Sequence, residues 1–319
     1  MEDRSKALAR RYKAQELIRN LIPVLGLLLL LLVFQSISGK LFRMGNIKSI
    51  MNQAYTIIIV ALGGTFVYAH GGMDISYGGV IGVSMLCSTL VANQIDSPYL
   101  ALAVCVAVAC GLSLMNAVFS IYLKVSPLIV SLCLMYMCRG MLNVVCSSDK
   151  FSVPDSMLPF DDWAVKIPVL VAVILIAVFL FEKTAIGKSS KAIGGNTVAA
   201  RQAGINVERT RLICYLISGI CIGIAGFFQL SRAGSVSTST GQGLEMNVIT
   251  ALVLGGISLS GGARVRILRA VLGAVTVIVL RFGLNIIRLD ENLIEGVQGV
   301  VLLFIVWLTY EKNRTNLYN

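Results

Sequence analysis

The chain has 319 residues, 56% of them hydrophobic and 13% charged, with a mean hydropathy of +0.83 and a formal net charge of +11. That is too apolar for a water-soluble core and fits a polytopic membrane protein. The positive charge is not a nucleic-acid footprint, because the Lys and Arg residues are distributed among loops by side instead of forming one basic face.

Crossing a hydrocarbon layer of about 30 Å takes about 20 apolar residues. Stretches of that kind fall at 21–38, 50–69, 76–93, 98–123, 127–146, 164–182, 212–232, 245–260, 267–287 and 292–310. The predicted fold is therefore an all-α polytopic membrane bundle of about ten (8–10) transmembrane helices. Residues 1–20 form a charged tail, either a short amphipathic surface helix or a solvated basic segment; 21–310 form one membrane domain, and 311–319 form a second tail. The first span lacks a small-residue cleavage site and reads as retained. With the N-terminus cytoplasmic, ten spans place eighteen of the 27 basic residues on that side, and the C-terminus with them.

The segment 71–79, GGMDISYGG, is the first glycine-dense element. Asp74 within it follows the sole histidine, His70. An acid at membrane depth costs roughly 2.5–3.5 kcal/mol on insertion scales, so Asp74 either lines a polar pathway or caps the next helix from a turn. His70 has no second ligand at metal spacing except Asp74, and no metal site is expected. No Ser/His/Asp arrangement exists either, and catalytic residues are expected to be none. Asn116, Asn247 and Asn285 either line a path or bond neighbouring helices. Arg139 lies within a span, in reach of an interface only by snorkelling.

The loop 147–163 carries Asp149, Asp155, Asp161 and Asp162 against a single Lys, which suits an external surface that meets another protein or simply water. All eight Cys lie in or beside apolar spans without paired spacing and are expected to be small packing residues. The polar, basic island at 183–211 has no place in a bilayer core and reads as a cytoplasmic docking loop. Inside it, Asn196 before TVAARQA and Gly204 after it bound a short helix at 197–203. Gly187, Lys188 and Ser189 echo the end of a phosphate loop, but Glu182 stands where that loop needs glycine. Any ATP used must be hydrolysed by another chain, and no cofactor is expected here.

Glu245 at a helix start suits a first-turn charge or an external gate. The segment 255–262, GGISLSGG, resembles 71–79 in having a Gly pair, a Ser four positions after it, and a second Gly pair, which hints at a duplicated element.

Residues 192–206, AIGGNTVAARQAGIN, resemble the coupling-helix loop of permease subunits from bacterial ABC importers of the ribose, xylose, arabinose and galactose class. GGMDIS at 71–76 and TGQGLEMNVITALVLGGISLSGG at 240–262 are similar to two further elements of that family, in the same order. The chain differs from the pattern at 263–269, ARVRILR, and at Arg281.

The resemblance implies a transporter subunit and not an enzyme, set in the bacterial inner membrane. It implies a peripheral ABC ATPase docked on Gly194, Gly195, Asn196, Ala200, Arg201, Gly204 and Ile205. An extracytoplasmic solute-binding protein would deliver a monosaccharide, and a second permease copy or paralogue would complete the path. Candidate pathway residues are Gly72, Asp74, Ser76, Asn116, Glu245, Asn247, Ser258 and Asn285. A nucleoside, a branched-chain amino acid or a sugar-derived signal would fit the same machine. An ion-coupled secondary transporter built on Asp74 is the remote alternative.

Overall fold

The computed structural model describes residues 24–147, 151–258, 261–262 and 265–309. The two tails at 1–20 and 311–319, and Asp149 of the acidic loop, lie outside the described residues. The structure is helical almost throughout. In chain order the helices are α1 (Val24–Ser38), α2 (Met44–Ala69), α3 (Tyr77–Ile95), α4 (Pro98–Tyr122), α5 (Pro127–Val145) and α6 (Trp163–Val178). They continue with α7 (Ala185–Gly195), α8 (Thr197–Gln202), α9 (Val207–Ala233), α10 (Leu244–Leu254), α11 (Ile267–Ile286) and α12 (Glu291–Thr309). A π-helical turn, Phe179–Lys183, extends α6. Two short strands, β1 (Phe151–Ser152) and β2 (Ser235–Val236), pair antiparallel and join the loop after α5 to the loop after α9.

Among the described residues, seven helices are long and apolar enough to cross a membrane: α2, α3, α4, α5, α6 with its π turn, α9 and α11. The protein is a multi-pass membrane protein. Local signals set several helix starts: Pro98 and Pro127 occupy first-turn positions, and the Asp162, Asn196 and Asn206 side chains accept bonds from the free N–H groups of α6, α8 and α9.

α2 is the axis of the bundle, buried without interruption from Ala54 to Ala69. Around it pack α9, α11, α10, α7 and α6, with α4 laid on the far side of α9. The α4–α9 crossing is made of small residues. Gly219 and Gly223 on α9 face α4 so closely that a Cβ would sit 2.7 Å from Cys110 Cα and 2.4 Å from Val106 Cα. The matching stripe on α4 is Ala101, Cys105, Ala109 and Ser113, all buried at every fourth position. The eight cysteines are all free, and five of them are buried. Large apolar side chains point outward instead, as with Leu175 and Phe179 of the α6 segment or Val300 and Leu303 of α12. That inversion of a soluble protein's pattern follows from lipid being as apolar as leucine.

The stretch 245–260 departs from expectation. Among its described residues only Leu244–Leu254 is helical, 11 residues that rise about 16 Å, about half of a bilayer core. The helix stops because Gly256, at φ +74°, turns the chain left-handed. Ile257 N–H then bonds Leu252 O and Gly256 N–H bonds Val253 O, a Schellman ending. α2 ends the same way at Gly71, φ +78°, with Gly72 N–H to Val67 O and Gly71 N–H to Tyr68 O.

Candidate functional site

Two regions bear on function, one at each end of the bundle. The first is the end that carries α7 and α8. The Thr184 hydroxyl accepts from Ile186 N–H to start α7. Asn196 closes α7 through its backbone N–H and opens α8 by accepting from Val198 and Ala199 N–H, both at 3.0 Å. α8 covers Thr197–Gln202, with Ala203 at its C-cap and Gly204 at φ +82° beyond. Six residues cannot hold a helix alone; Ala200, Ile193 and Val207 form a small apolar patch that does so, with Ile205 against it.

Of the residues singled out in this loop, Ala200 faces inward, while Gly195, Asn196, Arg201 and Gly204 are exposed. Arg201 pairs with Glu208 on the first turn of α9. Val198, 67% exposed, is a projecting apolar side chain that the sequence did not single out. Its neighbours marked the loop, but only the helix phase shows which side chains project.

Gly194 has a different role. A Cβ there would meet Ala69 O at 2.0 Å and Gly262 N at 2.6 Å. Gly262 N–H in turn bonds Ala69 O at 3.0 Å, and Gly261 lies against Gly71. The two glycine-rich segments therefore meet, and α7 ends on their junction. Ser190 strengthens the seam by donating to Phe66 O.

Beyond Gly72, the chain from Met73 to Ser76 is not helical. Asp74 is fully buried, with Oδ1 accepting from Ser76 N–H at 2.8 Å and Ser76 Oγ at 2.6 Å, and the Tyr68 hydroxyl donates to Asp74 O. Gly72, Asp74, Ser76 and the buried Asn116 are thereby brought into one neighbourhood. Ser258 and Asn285 are exposed, Ser258 in the loop after α10 and Asn285 at the end of α11. Burial, and the Arg211 charge after it, push the His70 imidazole down to about 3, so it is neutral at ordinary pH.

The second region is a polar pocket of about 380 Å³ toward the β1–β2 end. Gln53 and Thr56 of α2, Gln229 and Arg232 of α9, and Ser237 and Gln242 of the following loop supply much of its polar lining. The Gln229 Oε1 atom is buried and unpartnered. Successive turns, Thr240 N–H to Ser237 O, Gln242 N–H to Ser239 O and Leu244 N–H to Gly241 O, carry the chain into α10.

That descent goes deep. Gly78, on the first turn of α3, has Glu245 Oε2 and Gly241 O where a Cβ would stand, at 2.0 and 2.3 Å. Asn93, fifteen residues further along α3, bonds Ser152 O in β1, and fifteen helical residues span about 22 Å. α10 therefore begins well inside the bundle, with Asn247 at the pocket wall bonded to Gln298 of α12. Arg139 of α5 reaches this point, donating to Thr240 O at 2.7 Å and lying 3.6 Å from Glu245. It needs no interface, because its counter-charge stands on a distant part of the sequence.

The acidic loop is largely occupied internally: Asp161 pairs with buried Lys166, whose Nζ also bonds Asn52, and Asp162 caps α6. Arg281 pairs with Glu291, tying α11 to α12.

A multi-pass helical bundle with a polar pocket at one end, a half-length helix at its centre and a projecting polar loop at the other is built as the membrane subunit of a transporter. The chain belongs to the family described as branched-chain amino acid transport system / permease component, whose model matches residues 46–306. It is 30% identical to the ribose import permease protein of Bacillus subtilis (strain 168), over 95% of this chain and 97% of that one. It is 30% identical to the galactofuranose transporter permease protein of Escherichia coli (strain K12), over 89% and 88% of the two chains. It is 32% identical to the L-arabinose transport system permease protein of the same strain, over 78% and 77%. No solved structure matches the chain. The protein is a permease subunit, a transporter component and not an enzyme.

Proposed function

We propose that this permease carries a monosaccharide, a pentose or hexose, through an ATP-driven importer. The observation that carries the reading is the pocket: its carboxamides and hydroxyls both donate and accept, as a polyol requires, in a volume of about 380 Å³. Relatives whose names specify ribose, galactofuranose and L-arabinose support it. A peripheral ATPase docks on the exposed edge of α8 around Val198 and Arg201. An extracytoplasmic binding protein delivers solute at the β1–β2 end, and a second permease copy or paralogue completes the path. Ten spans with both termini cytoplasmic, in a bacterial inner membrane, accord with the distribution of basic residues. Solute-dependent shifts between inward- and outward-open states are driven from the partner's ATP cycle.

A second cargo reading has one observation in its favour: the chain is 27% identical to the autoinducer 2 import system permease protein of Photorhabdus laumondii. Purification of the complex from native membranes, with mass spectrometry of the ligand in the co-purified binding protein, separates the two. A sugar supports the first reading, and a non-sugar ligand overturns it. Within the pocket, Gln229→Leu is expected to lower uptake about tenfold, the value of one hydrogen bond, while ATPase association is kept. Unchanged uptake would remove the pocket from the path.

A further inference from the structure

The neighbourhood of Asp74 concentrates buried polar atoms that have no partner. Asp74 Oδ2, both amide atoms of Asn116, both ring nitrogens of His70, and the hydroxyls of Tyr77, Ser113, Tyr215 and Ser218 are buried without a hydrogen bond. They come from four elements: the end of α2 and its following turn, α3, α4 and α9. Asn116 faces the carboxylate from α4 without reaching hydrogen-bond geometry, with Ser113 one turn away on the same side of the helix. The Tyr77 and Tyr215 hydroxyls are close enough to feel the Asp74 charge, and Ser218 faces Tyr77.

What is missing in contact with Asp74 is a positive charge. Among the described residues no ion pair involves Asp74, and the nearest Arg effect, from Arg211, falls on His70 and Tyr215. An ionised carboxylate taken out of water must be neutralised or matched by a cation. Neutral hydroxyls and amides hydrate a charge without cancelling it. The oxygen atoms among these groups, with a single carboxylate, suit a hard ion of charge one, whereas calcium sites use several carboxylates.

We propose that Asp74, Asn116 and the surrounding hydroxyls form a buried site for one monovalent cation, either a sodium ion or a proton carried on Asp74 Oδ2. The site is separate from the solute pocket and does not depend on which solute is carried. It lies five residues along the chain from Ala69, where α7 meets both glycine-rich segments, so its occupancy bears on the stability of that junction. Burial raises the Asp74 carboxyl above the ordinary range, opposed by its Ser76 bonds, which is the direction a proton-holding site requires. A carboxyl raised in the folded state contributes stability at low pH that is lost as pH rises through the folded value. The titratable groups around it are the phenols of Tyr68, Tyr77 and Tyr215 and the neutral His70 imidazole, and the charged group beyond them is Arg211, which acts on His70 and Tyr215.

The test is thermal unfolding of the full-length protein in detergent at constant ionic strength. Sodium chloride is exchanged for choline chloride at mildly acidic and mildly alkaline pH, for the wild type, Asp74→Asn and Asn116→Leu. Asp74→Asn keeps an oxygen for both Ser76 bonds and is expected to fold. If sodium is the ligand, the wild-type midpoint rises saturably with sodium, Asp74→Asn loses the response, and Asn116→Leu needs about tenfold more sodium. If the ligand is a proton, the wild-type midpoint ignores sodium and falls as pH rises, and Asp74→Asn is flat. A wild type that responds to neither, or an Asp74→Asn variant that responds as the wild type does, overturns the proposal.

Discussion

The two glycine-rich segments end their helices with the same backbone motif but are held in place by different means. After Gly71 the chain is pinned by side chains: Asp74 gathers Ser76, and Tyr68 bonds back to the turn. Near Gly261 and Gly262 the contacts are backbone on backbone, against Ala69, Gly71 and Gly194. The segments also differ in phase, since Gly71 is the first of its pair and Gly256 the second of its pair to adopt the left-handed turn. Similar letters in a sequence therefore do not establish a superposable repeat. The first segment is expected to tolerate conservative exchange of its polar groups, whereas in the second Gly255 and Gly261 leave no room for an added atom.

The largest effect is expected at the point the segments share. Gly194→Val puts atoms where Ala69 O and Gly262 N already lie, and a cost of about 3 kcal/mol or more should appear as a collapse in monodisperse yield from detergent. A well-behaved Gly194→Val protein would show that the junction is loose. Gly261→Ala combines a left-handed φ with a Cβ 2.5 Å from Gly71 N, and about 2–3 kcal/mol is expected by thermal unfolding. Its partner experiment, Gly256→Ala, has the same φ of +74° and open space, so only the conformational cost of about 1 kcal/mol remains. Equal losses in these two variants would mean that strain, and not close packing, dominates the second segment.

On the side-chain-held segment, Ser76→Ala removes one of two bonds to Asp74 and is expected to cost about 1 kcal/mol. Smallest of all, Gly195→Ala meets nothing within 4 Å and should stay within about 0.5 kcal/mol of wild type by thermal unfolding.

Much of the helix placement was legible because apolar runs of span length are long, local signals. The boundaries of α8 were legible for the same reason, since Asn196 and Gly204 act on their own neighbours. α10 was misjudged because hydropathy does not register a helix stop: the residues after Leu254 remain apolar or small while the backbone turns away. Nor does hydropathy distinguish Ala61, buried in protein, from Leu175, facing outward. The Arg139–Glu245 pair and the pocket lining join residues from distant helices, so they exist only once the bundle has formed. Asn247, singled out in the sequence, lines that pocket, and Gln53 and Gln229, carboxamides on predominantly apolar helices, were signals passed over.

The seam at Gly194, Ala69 and Gly262 has a mechanical consequence. Side chains in contact can yield by changing rotamer, and so absorb part of a push. Three backbones in direct contact have no such slack. Any displacement of α7 is delivered undamped to the end of α2 and to the chain leaving α10, so the joint acts as a rigid linkage between the projecting loop and the centre of the membrane domain.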